Sequence, residues 1–391
     1  MPLCLNAACR AALSISLKAA VATAVLSSSP WATAQAQELV VPIGLSSPLS
    51  GPQSGNGQDN LAGAKLAVDE VNARKPSVGG RPLRLVLKAE DDQADPRQGV
   101  AVAQKLVDGG VRFVVGPYNS GVTMPASRVY DQAGVVVATV SSNPKITQQG
   151  FSRLFRVGAA DTALGVKMAV YAAKELKVKR VAVIDDRSAY GQGLAQEFSA
   201  AGKANGLEVV KTEYVSGQAT DFTPVLTSIK AAKPDAIFFG GYSAQAGPMA
   251  RQMKQLGITA RLLGGDGLCS SETAKLAGGD AVGENVWCTQ GGAMIQRAAE
   301  GQAFVAAYRA ANGQRDPLTY AVNFYDAVHL MAQAMQSAGS ADPAKVAEAL
   351  QKGSYKGAAG TYAFDDKRDL KSSPVTVFTF KGGQPSAVTS Y

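Results

Sequence analysis

Histidine is nearly missing from this sequence of 391 residues, His329 being the one copy. A histidine-ligated metal centre or a Ser-His-Asp hydrolase is therefore poorly supplied. The four cysteines, Cys4, Cys9, Cys269 and Cys288, form no C-x-x-C pair, which argues against a thiolate zinc site. No apolar run reaches the ~20 residues that a membrane-spanning helix needs. Nucleotide signatures fail as well. Gly191-Gln192-Gly193 lacks a third glycine at the required spacing, and no G-x-x-x-x-G-K-[ST] occurs. Neither G-x-S-x-G nor H-E-x-x-H is present. The formal charge of +8 comes without a dense Lys/Arg run or an aromatic-interleaved basic stripe, so no nucleic-acid partner is expected. No cofactor is expected either.

What is there is a globular composition, 46% apolar and 18% charged, long enough for about two to three domains. The N-terminus reads as a targeting segment. Arg10 and Lys18 precede any acid, residues 19–26 are a short apolar core, and Ala34-Gln35-Ala36 follows Pro30 as a small-residue cleavage pattern. Residues 1–36 are expected to be a cleaved signal peptide, which places the mature chain in the periplasm. The only mature cysteines are then Cys269 and Cys288. In an exported chain they read as one disulfide, the alternative being two buried thiols.

Beyond the leader, short Val-, Ile- and Phe-rich runs alternate with helical stretches. Strands are expected over 39–45, 83–89, 111–116, 135–140, 181–185, 209–215, 236–240 and 261–264. Helices are expected over 57–73, 96–108, 122–133, 162–176, 191–205, 221–232 and 244–256. This βα order implies parallel sheets covered by helices on both faces. The pattern restarts near residue 154 without a disordered linker, as two similar α/β lobes would. After Glu284 the rhythm changes to helices over 297–311, 318–337 and 343–351 and a late strand over 375–380, as if the chain crosses between the lobes again.

Ligands of open parallel sheets bind beyond the carboxyl ends of the strands. Those positions hold Ser120, Ser141, Ser142, Tyr190, Tyr242 and Asp266. Serine hydroxyls beside helix N-terminal amides suit a carboxylate, and a lone aspartate suits an ammonium group. Each residue alone also has a plainer reading. Ser120 and Ser142 are ordinary helix-capping types. The tyrosines are candidates for packing, and Asp266, between glycines, for a turn. Asp91-Asp92 reads as a solvated strand end, and His329 as a packed or capping residue in an apolar helix.

From Val41 to about Phe380 the sequence resembles the leucine/isoleucine/valine-binding proteins of bacterial ABC importers, a branch of the type I periplasmic binding proteins. The resemblance lies in Ser50-Gly51-Pro52, in Asp91-Asp92 before Asp95-Pro96, and in residues 116–127 (GPYNSGVTMPAS). It continues in Asn143-Pro144 with Thr147, Tyr190-Gly191-Gln192-Gly193, Asp221-Phe222, Gly240-Gly241-Tyr242 and Gly264-Gly265-Asp266-Gly267. No one motif is diagnostic; their order and spacing are.

The resemblance implies two Rossmann-like α/β lobes joined by three crossovers, with residues 37–159 and 291–365 in the first lobe and 160–290 and 366–391 in the second. It implies that Ser120 holds an amino-acid carboxylate, that Ser141 and Ser142 add contacts, that Tyr190 and Tyr242 close over the ligand, and that Asp266 holds the α-ammonium. Asn56 stands where the enteric members carry a tryptophan against the ligand side chain, which puts strict branched-chain selectivity in question. The first-lobe disulfide of those members is absent. The expected function is capture of a small amino acid, of branched-chain type, by a monomer that delivers it to a membrane ABC permease, without catalysis. An aromatic or other small carboxylate or amide is the alternative ligand. An exported α/β hydrolase is a remote one, for want of a histidine beside a strand-end serine.

Overall fold

Within the apolar strand runs, successive side chains sort onto opposite faces, and both faces are dry. Phe113, Val115, Val136 and Ala138 join one core, while Val114, Val135 and Val137 join another. In the second half Val183, Phe238 and Leu263 face one core, and Ala182, Ile237, Phe239 and Leu262 the other. A strand buried on both sides needs helices above and below, and the computed structural model supplies them. It describes residues 37–391 except 280, 293, 296 and 297. The signal-peptide reading of residues 1–36 lies outside the described residues.

The first sheet uses β1 (Leu39–Ser47), β2 (Ser77–Val78), β3 (Arg81–Asp91), β4 (Phe113–Val115), β5 (Val136–Thr139) and β6 (Leu154–Arg156) in the order β2-β3-β1-β4-β5-β6. All its pairings are parallel except β2 with β3. Helices α1 (Ser54–Arg74), α2 (Pro96–Asp108) and α3 (Ser120–Gln132) connect the strands. The chain then passes through α4 (Asp161–Lys174) into the second sheet, built on β7 (Arg180–Asp185), β8 (Glu208–Tyr214), β9 (Ala236–Gly240), β10 (Arg261–Gly264) and β11 (Val286–Gly291). The connecting helices there are α5 (Ala189–Ala204), α6 (Thr223–Ala231), α7 (Ser243–Gln255) and α8 (Ser271–Ala277). Next come α9 (Ala299–Ala311), α10 (Ala321–Ala338) and α11 (Pro343–Lys352), of which α9 and α10 pack on α1. Tyr308 donates to Asp59 at 2.7 Å and Tyr325 to Glu70 at 2.8 Å across that contact.

After a small hairpin of β12 (Tyr355–Lys356) and β13 (Thr361–Tyr362), the chain returns to the second sheet as β14 (Val375–Lys381) and β15 (Gln384–Ser390). Its strand order is β15-β14-β11-β10-β9-β7-β8, parallel from β11 to β8 and antiparallel at β14 and β15. The chain thus crosses between the sheets three times, giving two α/β lobes. No helix among the described residues is long and apolar enough to cross a membrane.

Two sequence expectations change. Residues 286–291 (VWCTQG), to which the sequence reading assigned no strand, form β11, parallel to β10 and antiparallel to β14. A six-residue run ending in Thr, Gln and Gly carries too little apolar signal to register as a strand. Asp91-Asp92 is not a solvated strand end. Asp92 is fully buried, accepts from the Ser46 hydroxyl at 2.7 Å, and is pushed by burial to a pKa of about 6. Asp91 accepts the Leu49 and Gln93 amides at 2.8 and 2.9 Å. The pair organises the loops beyond β1 and β3. His329 is packed as expected, its ring 4.5 Å from that of Tyr325 and its Nε2 3.2 Å from Glu70.

Candidate ligand-binding site

Each parallel strand ends where the chain must turn, and the two sheets bring their carboxyl ends together. Beyond β4, Tyr118 and Asn119 lead into α3, of which Ser120 is the first residue. Beyond β5 come Val140, Ser141 and Ser142. From the second lobe, Tyr190 lies in the first turn of α5, Tyr242 precedes α7, and Asp266 opens a short 3₁₀ turn after β10. Tyr320 precedes α10 at the second crossover. A small cavity of about 10 Å³ is lined by Tyr118, Ser120, Val140, Ser142, Tyr190, Tyr242, Asp266, Gly267 and Tyr320.

The close approach of α5 to β9 depends on missing side chains. A Cβ on Gly191 would fall 2.3 Å from the Gly240 carbonyl oxygen, and one on Gly240 2.2 Å from the Gly191 carbonyl oxygen. That contact lets the rings of Tyr190 and Tyr242 meet at 4.8 Å. Tyr118 packs on Tyr242 at 6.0 Å and on Tyr320 at 5.7 Å. Four tyrosines therefore wall the cavity.

The electrostatics are uneven. Asp266 is buried; its carboxylate accepts from the Tyr190 hydroxyl at 2.7 Å and from the Tyr320 hydroxyl. The Tyr190 hydroxyl in turn accepts the Gly267 amide at 2.9 Å. Burial raises the Asp266 pKa to about 6, against the lowering effect of these hydrogen bonds. Burial, helped by the Asp266 charge, pushes Tyr190 well above its ordinary value. Ser120 and Ser142 contribute to the opposite, first-lobe wall. The loop that carries Ser142 is held by Arg156, fully buried at the end of β6. Arg156 donates to the carbonyls of Ser141 and Asn143 and to the Thr147 hydroxyl, and pairs with Asp369 at 2.5 Å. A buried carboxylate on one side and a hydroxyl-bearing wall on the other are what a zwitterion needs at its two ends. Among the described residues no group of three or more His, Cys, Asp or Glu is placed to hold a metal ion.

Of the residues singled out in the sequence, Ser120, Ser142, Tyr190, Tyr242 and Asp266 line this cavity, and two do not. The Ser141 hydroxyl is engaged with the carbonyls of Pro117 and Tyr118 at 3.2 and 3.1 Å and with Thr123 at 2.6 Å. Asn56 is buried in α1 outside the cavity wall. Sequence reasoning missed Tyr118, Val140 and Tyr320. The first two stand in strand-end runs that were noticed only for their serines. Tyr320 follows no strand and carried no signal. Cys269 and Cys288 are joined by a disulfide with Cα atoms 5.4 Å apart, tying the turn after β10 to β11.

Over residues 40–384 the chain matches the family model described as periplasmic binding protein. It is 38% identical over 340 residues to an amino acid binding protein of Pseudomonas aeruginosa, covering 86% of this chain and 89% of that one. It is 36% identical to the leucine-, isoleucine-, valine-, threonine-, and alanine-binding protein of the same species, with the same coverage. Among solved structures it superposes on LivJ, the branched-chain amino acid transporter substrate binding protein of Streptococcus pneumoniae, in complex with isoleucine. The TM-score is 0.81 at 28% identity, covering 90% of this chain and 99% of that one. A two-lobed α/β fold with a strand-end cavity between its lobes, matched over this span, makes the chain a member of the periplasmic binding protein family.

Proposed function

We propose that the protein captures a branched-chain α-amino acid between its lobes and delivers it to the membrane permease of an ABC importer. The observation that carries this reading is the convergence of the Ser120 and Ser142 side chains with the Asp266 carboxylate on one small aromatic-walled cavity. Ser120, at the start of α3, offers a hydroxyl and a helix N-terminus to the ligand carboxylate. Asp266 takes the ammonium, and Tyr118, Tyr190, Tyr242 and Val140 enclose the aliphatic side chain. The relatives named for leucine, isoleucine and valine support this ligand class. The lobes divide at residues 159/160, 290/291 and 365/366, and a ligand touching both favours their closed arrangement through its differential contacts. The work is binding and release, not catalysis. The leader pattern of residues 1–36 supports cleavage and a periplasmic mature form, which in this reading acts as a monomer.

The test is a thermal-shift screen of the mature protein, stripped of ligand by unfolding and refolding, against the amino acids and against benzoate and hydroxybenzoates. A ligand at 100 times its Kd adds about 2.7 kcal/mol of stability. Leucine, isoleucine or valine should raise Tm. A shift with aromatic acids alone overturns the reading.

A further inference from the structure

Beside the small cavity lies a larger one, of about 550 Å³, where the loops beyond β1, β3 and β4 meet those beyond β7, β8 and β9. Gln53, Asn119 and Met124 of the first lobe and Gly217, Tyr242 and Gln245 of the second are among the residues that line it. Tyr242 lines both cavities, and Asn119 precedes Ser120 in the chain. Two polar side chains of this outer cavity are buried but only half used. Asn119 and Gln245 are 4% and 3% exposed. Asn119 Nδ2 donates to Gln53 Oε1 at 2.7 Å, and Gln245 Nε2 donates to the Gly217 carbonyl. Neither Asn119 Oδ1 nor Gln245 Oε1 has a hydrogen-bond partner among the described residues. Turning the Gln245 amide over would set its oxygen against the Gly217 carbonyl oxygen. The Asn119 amide also stands beside the Tyr242 hydroxyl, on the wall that the two cavities share. The charged residues of the lining already have partners. Asp95 caps α2 through the Arg97 and Gln98 amides at 2.8 and 3.0 Å. Asp186 accepts the Ser188 amide at 2.9 Å, and the Arg187 guanidinium lies 3.4 Å from the ring centre of Tyr214.

A buried acceptor left unpaired loses its hydration without return, and a native fold rarely keeps one that nothing completes. Here there are two, one from each lobe, and what both lack is an N–H donor. They are neutral oxygens and the charges around them are engaged, so an uncharged donor suits them better than a cation. Resting on the reading of the inner cavity as an amino-acid site, we propose that the outer cavity is a side-chain subsite for a carboxamide, and that the protein takes glutamine as well as branched-chain ligands. The amino and carboxylate groups stay at Asp266 and Ser120, the side chain leaves past Tyr242, and its terminal NH2 donates one hydrogen to each unpaired oxygen. A group held by both lobes adds to the differential contacts that favour closure. A branched-chain ligand stops short of the outer cavity and leaves its two oxygens to water.

The experiment compares glutamine with methionine, a side chain of the same length without the donor, by calorimetry on the ligand-stripped mature protein and on Gln245→Met, with leucine as the reference. The wild type should bind glutamine at least fivefold more tightly than methionine. Gln245→Met should remove at least fivefold of that preference while leucine affinity changes less than threefold. Asn119→Leu, with Tm measured for both variants, serves if the methionine form does not fold. A wild type that binds leucine but shows no preference for glutamine over methionine overturns the proposal and leaves water as the partner of both oxygens. An equal loss for glutamine, methionine and leucine makes Gln245 a structural residue and overturns it too. A wild type that binds none of leucine, isoleucine and valine overturns the branched-chain reading instead.

Discussion

Gly193→Ala separates the closure of this protein from its stability. Gly193 is in the first turns of α5, and a Cβ there would fall 2.4 Å from Asn143 Nδ2 and 3.3 Å from its Cγ. Asn143 follows β5 of the first lobe, and its Nδ2 donates across to the Ala189 carbonyl of the second at 2.7 Å. Its Oδ1 is already held by the Lys145 amide at 2.9 Å, so the carboxamide cannot simply slide back. A normal carbon contact of ~3.5 Å requires it to retreat by about 1 Å, which breaks the cross-lobe bond. One such bond is worth about 1 kcal/mol net, or about a fivefold shift in the balance of closed and open forms. Alanine meanwhile improves helix propensity by up to ~1 kcal/mol. The variant should keep or raise the ligand-free Tm, bind leucine about fivefold more weakly, and show a smaller fall in radius of gyration by small-angle scattering at half-saturating ligand. Asn143→Ala should weaken binding similarly, and the double variant should be no worse than the singles. Unchanged affinity in both single variants would refute a cross-lobe role for Asn143.

Leucine affinity should be level above pH 6 and fall by up to about tenfold per unit below it, because Asp266 has its pKa near 6 when free and must be ionised to hold an ammonium. Asp266→Asn should lose well over tenfold in affinity, about 2–5 kcal/mol for removing one partner of a buried charged pair, and should flatten that calorimetric profile. The ligand-free protein should melt higher at pH 5 than at pH 7.5. Asp59, Asp92, Asp186, Asp266 and Asp326 are all raised by burial to about 6, so between roughly pH 4 and 6 the folded form holds protons that the unfolded form has lost, and stability falls as pH rises. Acids lowered by hydrogen bonding, such as Asp91 and Asp235, withdraw stability only at still lower pH. A scan showing the reverse slope from pH 5 to 7.5 would contradict these buried acids. Replacing Cys269 and Cys288 by serine should cost about 3 kcal/mol by chain entropy, read as a lower denaturant midpoint; intact mass of the unreduced mature protein should lie two daltons below the dithiol form.

The lobes were legible because their strands are unbroken apolar runs bounded by glycines. The strands over 236–240 and 261–264 and the helix over 96–108 fall where the sequence puts them. Strand β11 escaped because its apolar residues are too few, and β15 because an edge strand alternating small and polar residues looks like loop. At the cavity, the strand-end rule found Ser120, Ser142, Tyr190, Tyr242 and Asp266. It could not say which way a side chain turns. Ser141 and Ser142 are indistinguishable in sequence, and only the pleat decides that one hydroxyl joins the core while its neighbour faces the cavity. Tyr320 lies at a crossover, where position depends on how the lobes meet rather than on any local pattern.

Arg156 and Asp369 are 213 positions apart. The serine loop that helps form the cavity is clamped by an arginine whose counter-charge is among the last residues to be made. Until that aspartate arrives, Arg156 has no anion in its socket, and removing one member of a buried pair costs about 3–5 kcal/mol. A chain still emerging, or one shortened before residue 369, can pair most of its first sheet but cannot seat this loop. The shape of the ligand-holding loop therefore rests on a residue that joins the first lobe only after the chain has visited the second, so loss of the C-terminal segment is felt at the cavity and not only at the sheet it leaves.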